Sequence, residues 1–267
     1  MRALSYIFVA SLLAMSPVFA QAQQQNDSSL PRVLIIGDTT YSNHTRELSK
    51  VLKGKVEVVY AFWHPDEIAA SGTTLQLLDR HLGRIDRNGK PVEQSKWPKW
   101  DLIHFNCGLG DLIHRAPNIK TFRVMPIHVG GIRNTPKHQY AKNLDRLVKA
   151  LKTKAPESQL IWANTTPVRA SATNVFEMGS EVDYNQVAAE IMKKHGVPTN
   201  DMYSFVKNMI NMEKPAGFGA DPFHFDKKPI HMPIVRLIEQ RFQLQPVPET
   251  EEEKSSKQNA VKSGIRS

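Results

Sequence analysis

The stretch VLIIGDTT, residues 33–40, decides the fold of this chain. Its four consecutive aliphatic residues, ended by Gly37 and Asp38, are typical of a strand that is buried on both faces. Strands of that kind belong to parallel sheets, because helices cover both sides of such a sheet. The stretch therefore predicts an α/β protein with a polar turn at the carboxyl end of its first strand.

Strand and helix patterns alternate along the rest of the chain. The predicted strands after the first are 56–60, 100–105, 160–163 and 199–202, and the predicted helices are 46–52, 75–82, 182–195, 230–242 and one that Pro136 opens. This alternation predicts a three-layer α/β/α sandwich around a five-stranded parallel sheet of the flavodoxin-like type. In that fold, binding groups gather outside the carboxyl ends of the strands.

The two ends of the chain differ in composition from the middle. Residues 1–22 combine a positive charge, an apolar run and the small side chain of Ala20, which is the pattern of a cleaved secretory signal peptide. The apolar run is shorter than the roughly 20 residues that cross a membrane. Residues 30–244 predict one folded domain, and 246–267 predict a disordered polar tail because they are nearly devoid of apolar residues. We expect a secreted or periplasmic protein with no membrane attachment after signal cleavage.

The net charge indicates which class of partner the protein binds, and the cysteine content indicates how the domain is held together. The formal net charge is +9 at pH 7, which favours an anionic partner. Nucleic acid is not expected, since no basic run is interleaved with aromatic residues. A sulfated or uronic-acid polysaccharide suits an exported protein better. The single cysteine, Cys107, excludes an internal disulfide and indicates a packing thiol, and His104 on an apolar strand indicates a core histidine.

Polar segments follow three of the predicted strands, and a fourth precedes the last predicted helix. They are Gly37-Asp38-Thr39-Thr40, Asn106-Cys107-Gly108-Leu109-Gly110-Asp111, Asn164-Thr165-Thr166-Pro167 and Asp221-Pro222-Phe223-His224. Because carboxyl ends of parallel strands meet at one edge of a sheet, we expect these segments to converge. Their order along the chain resembles that of the SGNH hydrolases, also called the GDSL family, and the resemblance extends from Val33 to Phe242.

The resemblance implies an ester hydrolase with a Thr39, His224 and Asp221 triad. In the family, an early Gly-Asp-Ser block supplies the nucleophile, and a late Asp-x-x-His block supplies the base and its orienting partner. His224 would remove the proton of the Thr39 hydroxyl, and Asp221 would fix the imidazole tautomer. The alternative is that Asp221 forms an Asx-turn beside a histidine that begins a helix. No cofactor is implied, and no metal is expected, since the histidines lack a compact metal-ligand spacing.

The chain departs from the family pattern at two positions. Thr39 stands where the family has serine, and its extra methyl group crowds the approach of an acyl carbon. Gly110 stands where the family has the asparagine of Gly-x-Asn-Asp, which removes an oxyanion donor worth about 3 kcal/mol. The N–H groups of Thr39 and Gly72, with the Asn106 amide as a substitute, are the expected donors. The predicted oxyanion and substrate-binding residues are Asp38, Gly72, Asn106, Gly108, Gly110 and Asp111.

Three functions remain open at this stage. The first is an esterase that removes an acyl group from a carbohydrate or small-molecule ester. The second is a catalytically silent carbohydrate-binding protein, and the third is a sulfate or phosphate ester hydrolase. An anionic substrate would be clamped by basic residues of the stretch 109–135, although a solvated basic surface loop explains each single residue slightly better. These residues are His114, Arg115, Arg123, His128 and Arg133.

Overall fold

The computed structural model describes residues 29–119, 121–169, 174–212 and 230–262. The strands are β1 (Arg32–Ile36), β2 (Glu57–Tyr60), β3 (Leu102–Phe105), β4 (His114–Arg115), β5 (Ile132–Arg133), β6 (Gln159–Ala163) and β7 (Thr199–Asn200). The helices are α1 (Thr39–Val51), α2 (Ser71–Gln76), α3 (Leu78–His81), α4 (Leu109–Leu112), α5 (Lys137–Lys154), α6 (Glu181–His195), α7 (Met202–Lys207), α8 (Met232–Arg241) and α9 (Glu251–Lys262).

Five strands form one parallel sheet in the order β2-β1-β3-β6-β7. Within it, Val33 of β1 pairs with Val58 on one side and with Leu102 on the other. This is the flavodoxin-like order, in which the chain reverses its direction of winding beside the first strand. The predicted fold class, a helix-covered sheet of five parallel strands, is confirmed.

The sheet separates two hydrophobic cores. Alternate residues of β1 enter different cores, because successive side chains of a strand point to opposite faces. Val33 and Ile35 pack with α1 and α8, whereas Leu34 and Ile36 pack with α5 and α6. All four are at most 1% exposed, as the aliphatic run predicts.

Two elements near the site differ in extent from the sequence-based expectation. Helix α1 begins at Thr39 and not at residue 46, because the Asp38 side chain accepts a hydrogen bond from the Thr40 N–H at 2.8 Å and caps the helix. The stretch 109–135, in whose sequence no strand or helix pattern is visible, contains α4 and the antiparallel pair β4–β5.

The structure differs from the expectation for the polar tail. Residues 246–267 were expected to be disordered, but α9 occupies much of this stretch. Arg236 of α8 donates to Glu239 at 2.8 Å and to Glu253 at 2.9 Å, and the Val247 N–H donates to Glu239 at 2.6 Å. The ion pair between Arg236 and Glu253 thus joins α9 to α8, and Val247 packs against the core that contains α8. Residues 263–267 and the predicted signal peptide, 1–22, lie outside the described residues.

Within the described ranges, no helix is both long and apolar enough to cross a membrane.

Candidate active site

The turn after β1 is held by a tyrosine from the neighbouring strand. The Tyr60 hydroxyl donates to the carbonyls of Gly37 at 2.9 Å and Asp38 at 2.8 Å. Burial and the Asp38 charge raise the pKa of Tyr60, so the hydroxyl stays protonated as a donor. A Cβ at Gly37 would lie 2.5 Å from the Tyr41 ring. The backbone thus presents Thr39 as the first residue of α1, at the carboxyl edge of the sheet.

Asn106 joins the ends of three neighbouring strands. Its backbone N–H donates to the Ile36 carbonyl at 2.9 Å. Its side-chain amide donates to the Ala163 carbonyl at 2.7 Å and lies 3.4 Å from the Thr165 hydroxyl. The side chain is buried, being 2% exposed. An oxyanion approaching this amide would have to compete with those partners.

Asp111 connects α4 to the start of α2. Its two carboxylate oxygens accept from the Ser71 hydroxyl at 2.6 Å and the Ser71 N–H at 2.8 Å. Asn143 of α5 in turn donates to the Ser71 hydroxyl at 3.0 Å. Burial raises the pKa of Asp111 to about 6, against the lowering effect of hydrogen bonds from Ser71 and Thr135. This junction holds Gly72, the residue after Ser71, beside the segment after β3.

Two glycines of that segment allow close backbone approaches. A Cβ at Gly110 would lie 2.6 Å from the backbone carbonyl carbon of Ala69. A Cβ at Gly108 would overlap the Thr165 hydroxyl. Because real Cβ atoms do not come this close to other groups, Gly110 cannot be replaced by asparagine, or by any other residue with a Cβ, without moving the chain at Ala69. The backbone path therefore leaves no room for a side-chain donor at position 110.

A histidine pair joins α1 to the start of α8. The rings of His44 and His231 are stacked, with centroids 6.4 Å apart and an interplanar angle of 30°. Burial, followed by the charge of His231, lowers the pKa of His44 to about 3, so this ring is neutral. Beneath them, His104 is fully buried and its Nε2 lies 3.2 Å from the Asn200 amide nitrogen. His104 is a core residue, as predicted.

The basic residues after α4 have different environments. His114 Nδ1 lies 3.1 Å from the Val175 carbonyl, and Arg133 forms an ion pair with Glu177. These two face inward and support the loop. Arg115 and Arg123 have no ion pair with any described carboxylate. Of the basic residues predicted to bind an anionic substrate, His114 and Arg133 thus form an inner, structural pair. Arg115 and Arg123 form an outer pair.

Most of the predicted site residues meet at the carboxyl edge of the sheet. Those placed there are Asp38, Gly72, Asn106, Gly108, Gly110 and Asp111, together with the backbone of Thr39. The late residues, Asp221 and His224, lie outside the described residues. Across the described ranges, no group of three or more His, Cys, Asp or Glu side chains is placed to hold a metal ion. Cys107 is 1% exposed and burial raises the pKa of its thiol, in agreement with a packing role.

Sequence reasoning missed the residues that hold this edge together. Ser71 had a visible signal, because it stands directly before Gly72 in the segment AASGTT. Tyr60 and Asn143 gave none, since each looks like an ordinary residue of a strand or a helix. The structure thus defines a doubly wound α/β protein whose polar motifs meet outside the strand ends.

Several solved structures are similar to this chain. The lipase/acylhydrolase from Enterococcus faecalis is 15% identical with a TM-score of 0.49, and the match covers 82% of this chain and 100% of that one. A GDSL-like lipase from Bacteroides thetaiotaomicron is 15% identical with a TM-score of 0.48, covering 79% of this chain and 88% of that one. The esterase EstA from a Pseudoalteromonas species is 14% identical with a TM-score of 0.43, covering 79% and 98%.

The names of these three proteins are a lipase/acylhydrolase, a GDSL-like lipase and an esterase. No protein-family model matches the chain, and no curated protein sequence matches it. Because the identities are low and each TM-score is below 0.5, we base the proposed function on this chain's own residues.

Proposed function

We propose that the chain is an exported SGNH-type hydrolase that cleaves an ester outside the cytoplasm, with an acylated carbohydrate as its substrate. Thr39 is the nucleophile, His224 the general base and then the general acid, and Asp221 the orienting carboxylate. A hydroxyl becomes an effective nucleophile only when a neighbouring base accepts its proton. The proposal therefore requires His224 to reach Thr39.

The contact between His44 and His231 supports this requirement. His44 lies five residues into the helix that Thr39 begins, a distance of about 7.5 Å along the axis. His231 lies seven residues after His224, and seven residues of chain span at most about 25 Å. The stacked rings bring His231, directly before α8, beside the first turns of α1. His224 therefore has the reach to meet Thr39 over the sheet edge.

The proposed reaction has two acyl-transfer steps. The Thr39 Oγ1 attacks the ester carbonyl carbon while His224 takes the hydroxyl proton. Collapse of the tetrahedral intermediate breaks the bond to the sugar oxygen, which receives that proton and leaves as an alcohol. Water, deprotonated by His224, then hydrolyses the acyl-threonine and restores the hydroxyl.

The oxyanion is held by backbone N–H groups in this proposal. Thr39 supplies one and Gly72 supplies the second, positioned by the bonds between Ser71 and Asp111. The chain at Gly110 excludes a third donor of the family type. Loss of one such donor costs about 100-fold to 1,000-fold in kcat where it has been measured. We therefore propose a slow esterase.

A polysaccharide ester is the proposed natural substrate because of charge and location. The formal net charge of +9 favours an anionic polymer. The signal-peptide pattern of residues 1–22 predicts export, and such polymers occur outside the cytoplasm. Both supports come from the sequence, and the chemistry of ester cleavage does not depend on them.

Hydrolysis of p-nitrophenyl acetate, and release of acetate from an acetylated sugar, test the proposal. We expect activity in the wild type and a loss of 1,000-fold or more, on the order expected for a triad base, in His224→Ala. Thr39→Ser should raise the rate, because it removes the methyl group that crowds the acyl carbon. Undiminished turnover in His224→Ala would overturn the triad.

A catalytically silent carbohydrate-binding protein is the second candidate. It is favoured by the close approach of Gly110 to Ala69, which leaves no room for the third donor. Failure of every ester, together with retention on an anionic polysaccharide column, would support this candidate over the esterase.

A further inference from the structure

The excursion between α4 and α5, residues 113–135, has an unusual surface. It contains three arginines, one lysine and two histidines, and no aspartate or glutamate. Seven large apolar residues of the described chain are exposed, and four of them lie in this excursion. These four are Ile119, Val124, Val129 and Ile132, each between 41% and 53% exposed. Exposed apolar side chains concentrated in one place mark a binding surface.

The short strands of the excursion separate an inner from an outer face. His114 pairs with Arg133, and His114 is only 7% exposed, so these two residues face inward. Arg115 pairs with Ile132 on one side and with Val124 on the other, both antiparallel. Directly paired residues project to the same face, and successive residues project to opposite faces. Ile132, Arg115 and Val124 therefore form an apolar, cationic, apolar row on the outer face.

A groove of about 510 Å³ continues this outer face. Its walls include Pro117, Ile119, Arg123, Val124 and Val129. Arg123 lies outside the bridged residues, so strand alternation does not apply to it, and it opens to the same groove as Val124. Arg123 and Arg115 have no ion pair with any carboxylate of the described residues, and Arg115 donates to the Ala116 carbonyl at 3.3 Å. The outer face thus combines exposed aliphatic groups with two arginines whose charges are not neutralised within the described chain.

We infer that this outer face is a docking surface for an anionic lipid bilayer. The surface consists of Arg115, Ile119, Arg123, Val124, Val129 and Ile132. Aliphatic side chains gain free energy when they leave water for the headgroup region, and arginines are attracted by the negative potential of anionic lipids. An anionic polysaccharide would match the arginines and leave the aliphatic groups in water. A second copy that docked through this same face would have to meet these arginines with carboxylates, which the excursion lacks.

This surface extends beyond the proposed hydrolysis and does not depend on it. It also revises the expectation of no membrane association after signal cleavage. Peripheral docking by a basic and apolar face requires no membrane-spanning helix.

Vesicle flotation tests the inference. The exported protein is used after its N-terminus has been determined, so that no uncleaved signal peptide contributes to binding. We expect flotation with vesicles of equal parts phosphatidylglycerol and phosphatidylcholine. Binding should be about tenfold weaker or more with phosphatidylcholine alone, because two arginines lose their attraction to the surface. It should also weaken as salt is raised, because salt screens the attraction.

Matched variants locate the surface. Arg115→Gln with Arg123→Gln should lower the partition coefficient about 25-fold, since each basic residue near an anionic surface contributes about fivefold. Arg46→Gln with Arg146→Gln removes the same charge from exposed positions of α1 and α5 and should change it far less. Val124→Ser should weaken binding, whereas Leu30→Ser, a similarly exposed residue before β1, should not.

The outcomes separate the possible occupants of the surface. Equal binding to neutral and anionic vesicles would overturn the inference. An equal loss of vesicle binding in the variants of the docking surface and in the control variants would overturn it as well. Dimerisation of the wild type that Val124→Ser abolishes would assign the surface to a second copy and also overturn it. Hydrolysis of p-nitrophenyl acetate, an uncharged ester that offers no anion to Arg115 or Arg123, should be unchanged in the variants of this surface. Loss of lipid binding is thereby distinguishable from failure of the esterase.

Discussion

The segment after β3 and the excursion that follows it lie near the same edge of the sheet, but their polar side chains have opposite environments. After β3, Asn106 and Asp111 are buried and bond to other groups of the protein, namely the Ala163 carbonyl and Ser71. In the excursion that follows, Arg115 and Arg123 form no ion pair with any described carboxylate, and Arg115 donates to the Ala116 carbonyl. A buried polar group must find its partner within the protein, whereas an exposed one stays free for a ligand. Position in a motif therefore does not distinguish a substrate contact from a structural bond.

Asp111 gives the largest expected effect on stability and a specific pH dependence. Its pKa is raised from 3.8 to about 6 in the folded protein. The folded state therefore binds more protons than the unfolded state between about pH 4 and pH 6. The stability contribution of Asp111 is fully present below about pH 4 and falls by about 3 kcal/mol as pH rises through 6.

Comparison of the wild type with Asp111→Asn isolates this contribution. The difference in free energy of unfolding should be largest near pH 4 and about 3 kcal/mol smaller at pH 7. His44, His81 and His104 have lowered pKa values and act in the opposite direction, but they are common to both proteins and cancel. A difference that does not vary with pH, measured by urea unfolding, would contradict the buried carboxylate.

Ser71→Ala extends the same test. Removing its hydroxyl should raise the pKa of Asp111 further, because that hydrogen bond favours the charged carboxylate. The pH range over which the stability contribution of Asp111 is lost should therefore move to higher pH. Ser158→Ala, which removes a bond to the Trp100 carbonyl, is the matched control and should leave this pH range unchanged.

Substitutions of Gly110 and Gly72 have the next largest expected effect, and the two should differ. Gly110→Ala should lower the free energy of unfolding by about 2 kcal/mol, since its Cβ would press on the Ala69 backbone. Gly72→Ala should be close to neutral. Its Cβ would lie 3.3 Å from the Asn143 amide nitrogen, and alanine favours the helix by up to about 1 kcal/mol. Equal losses in the two variants would show that Gly110 is not the close approach described above.

The smallest expected effects on stability come from replacing two tyrosines. One of them holds the segment after β1, and the other holds the segment after β3. Tyr60→Phe removes bonds to the Gly37 and Asp38 carbonyls, and Tyr140→Phe removes one to the Cys107 carbonyl at 2.9 Å. Each should cost about 1 kcal/mol of stability. Ester hydrolysis should fall about tenfold in Tyr60→Phe alone, because that hydroxyl positions the residues directly before Thr39. An equal loss of activity in both would contradict this assignment.

The sequence predicted the fold through local patterns and the site only through its motifs. The run 33–36 and the amphipathic spacing of α5 are visible in short windows, so their elements were found. The bond between Ser71 and Asp111 joins residues 40 positions apart and depends on how the strand ends meet. The same holds for Arg236 and Glu253, whose pairing orders a tail that composition alone describes as disordered.

The triad itself remains a prediction, because it concerns Thr39, Asp221 and His224 together. Labelling with a p-nitrophenyl phosphonate ester, followed by peptide mass spectrometry, tests it most directly. We expect a stable phosphonate adduct on Thr39 that is absent from Thr39→Ala and from His224→Ala. Ester hydrolysis that continues in Thr39→Ala, with no adduct on Thr39 in the wild type, would contradict the nucleophile assigned to this chain.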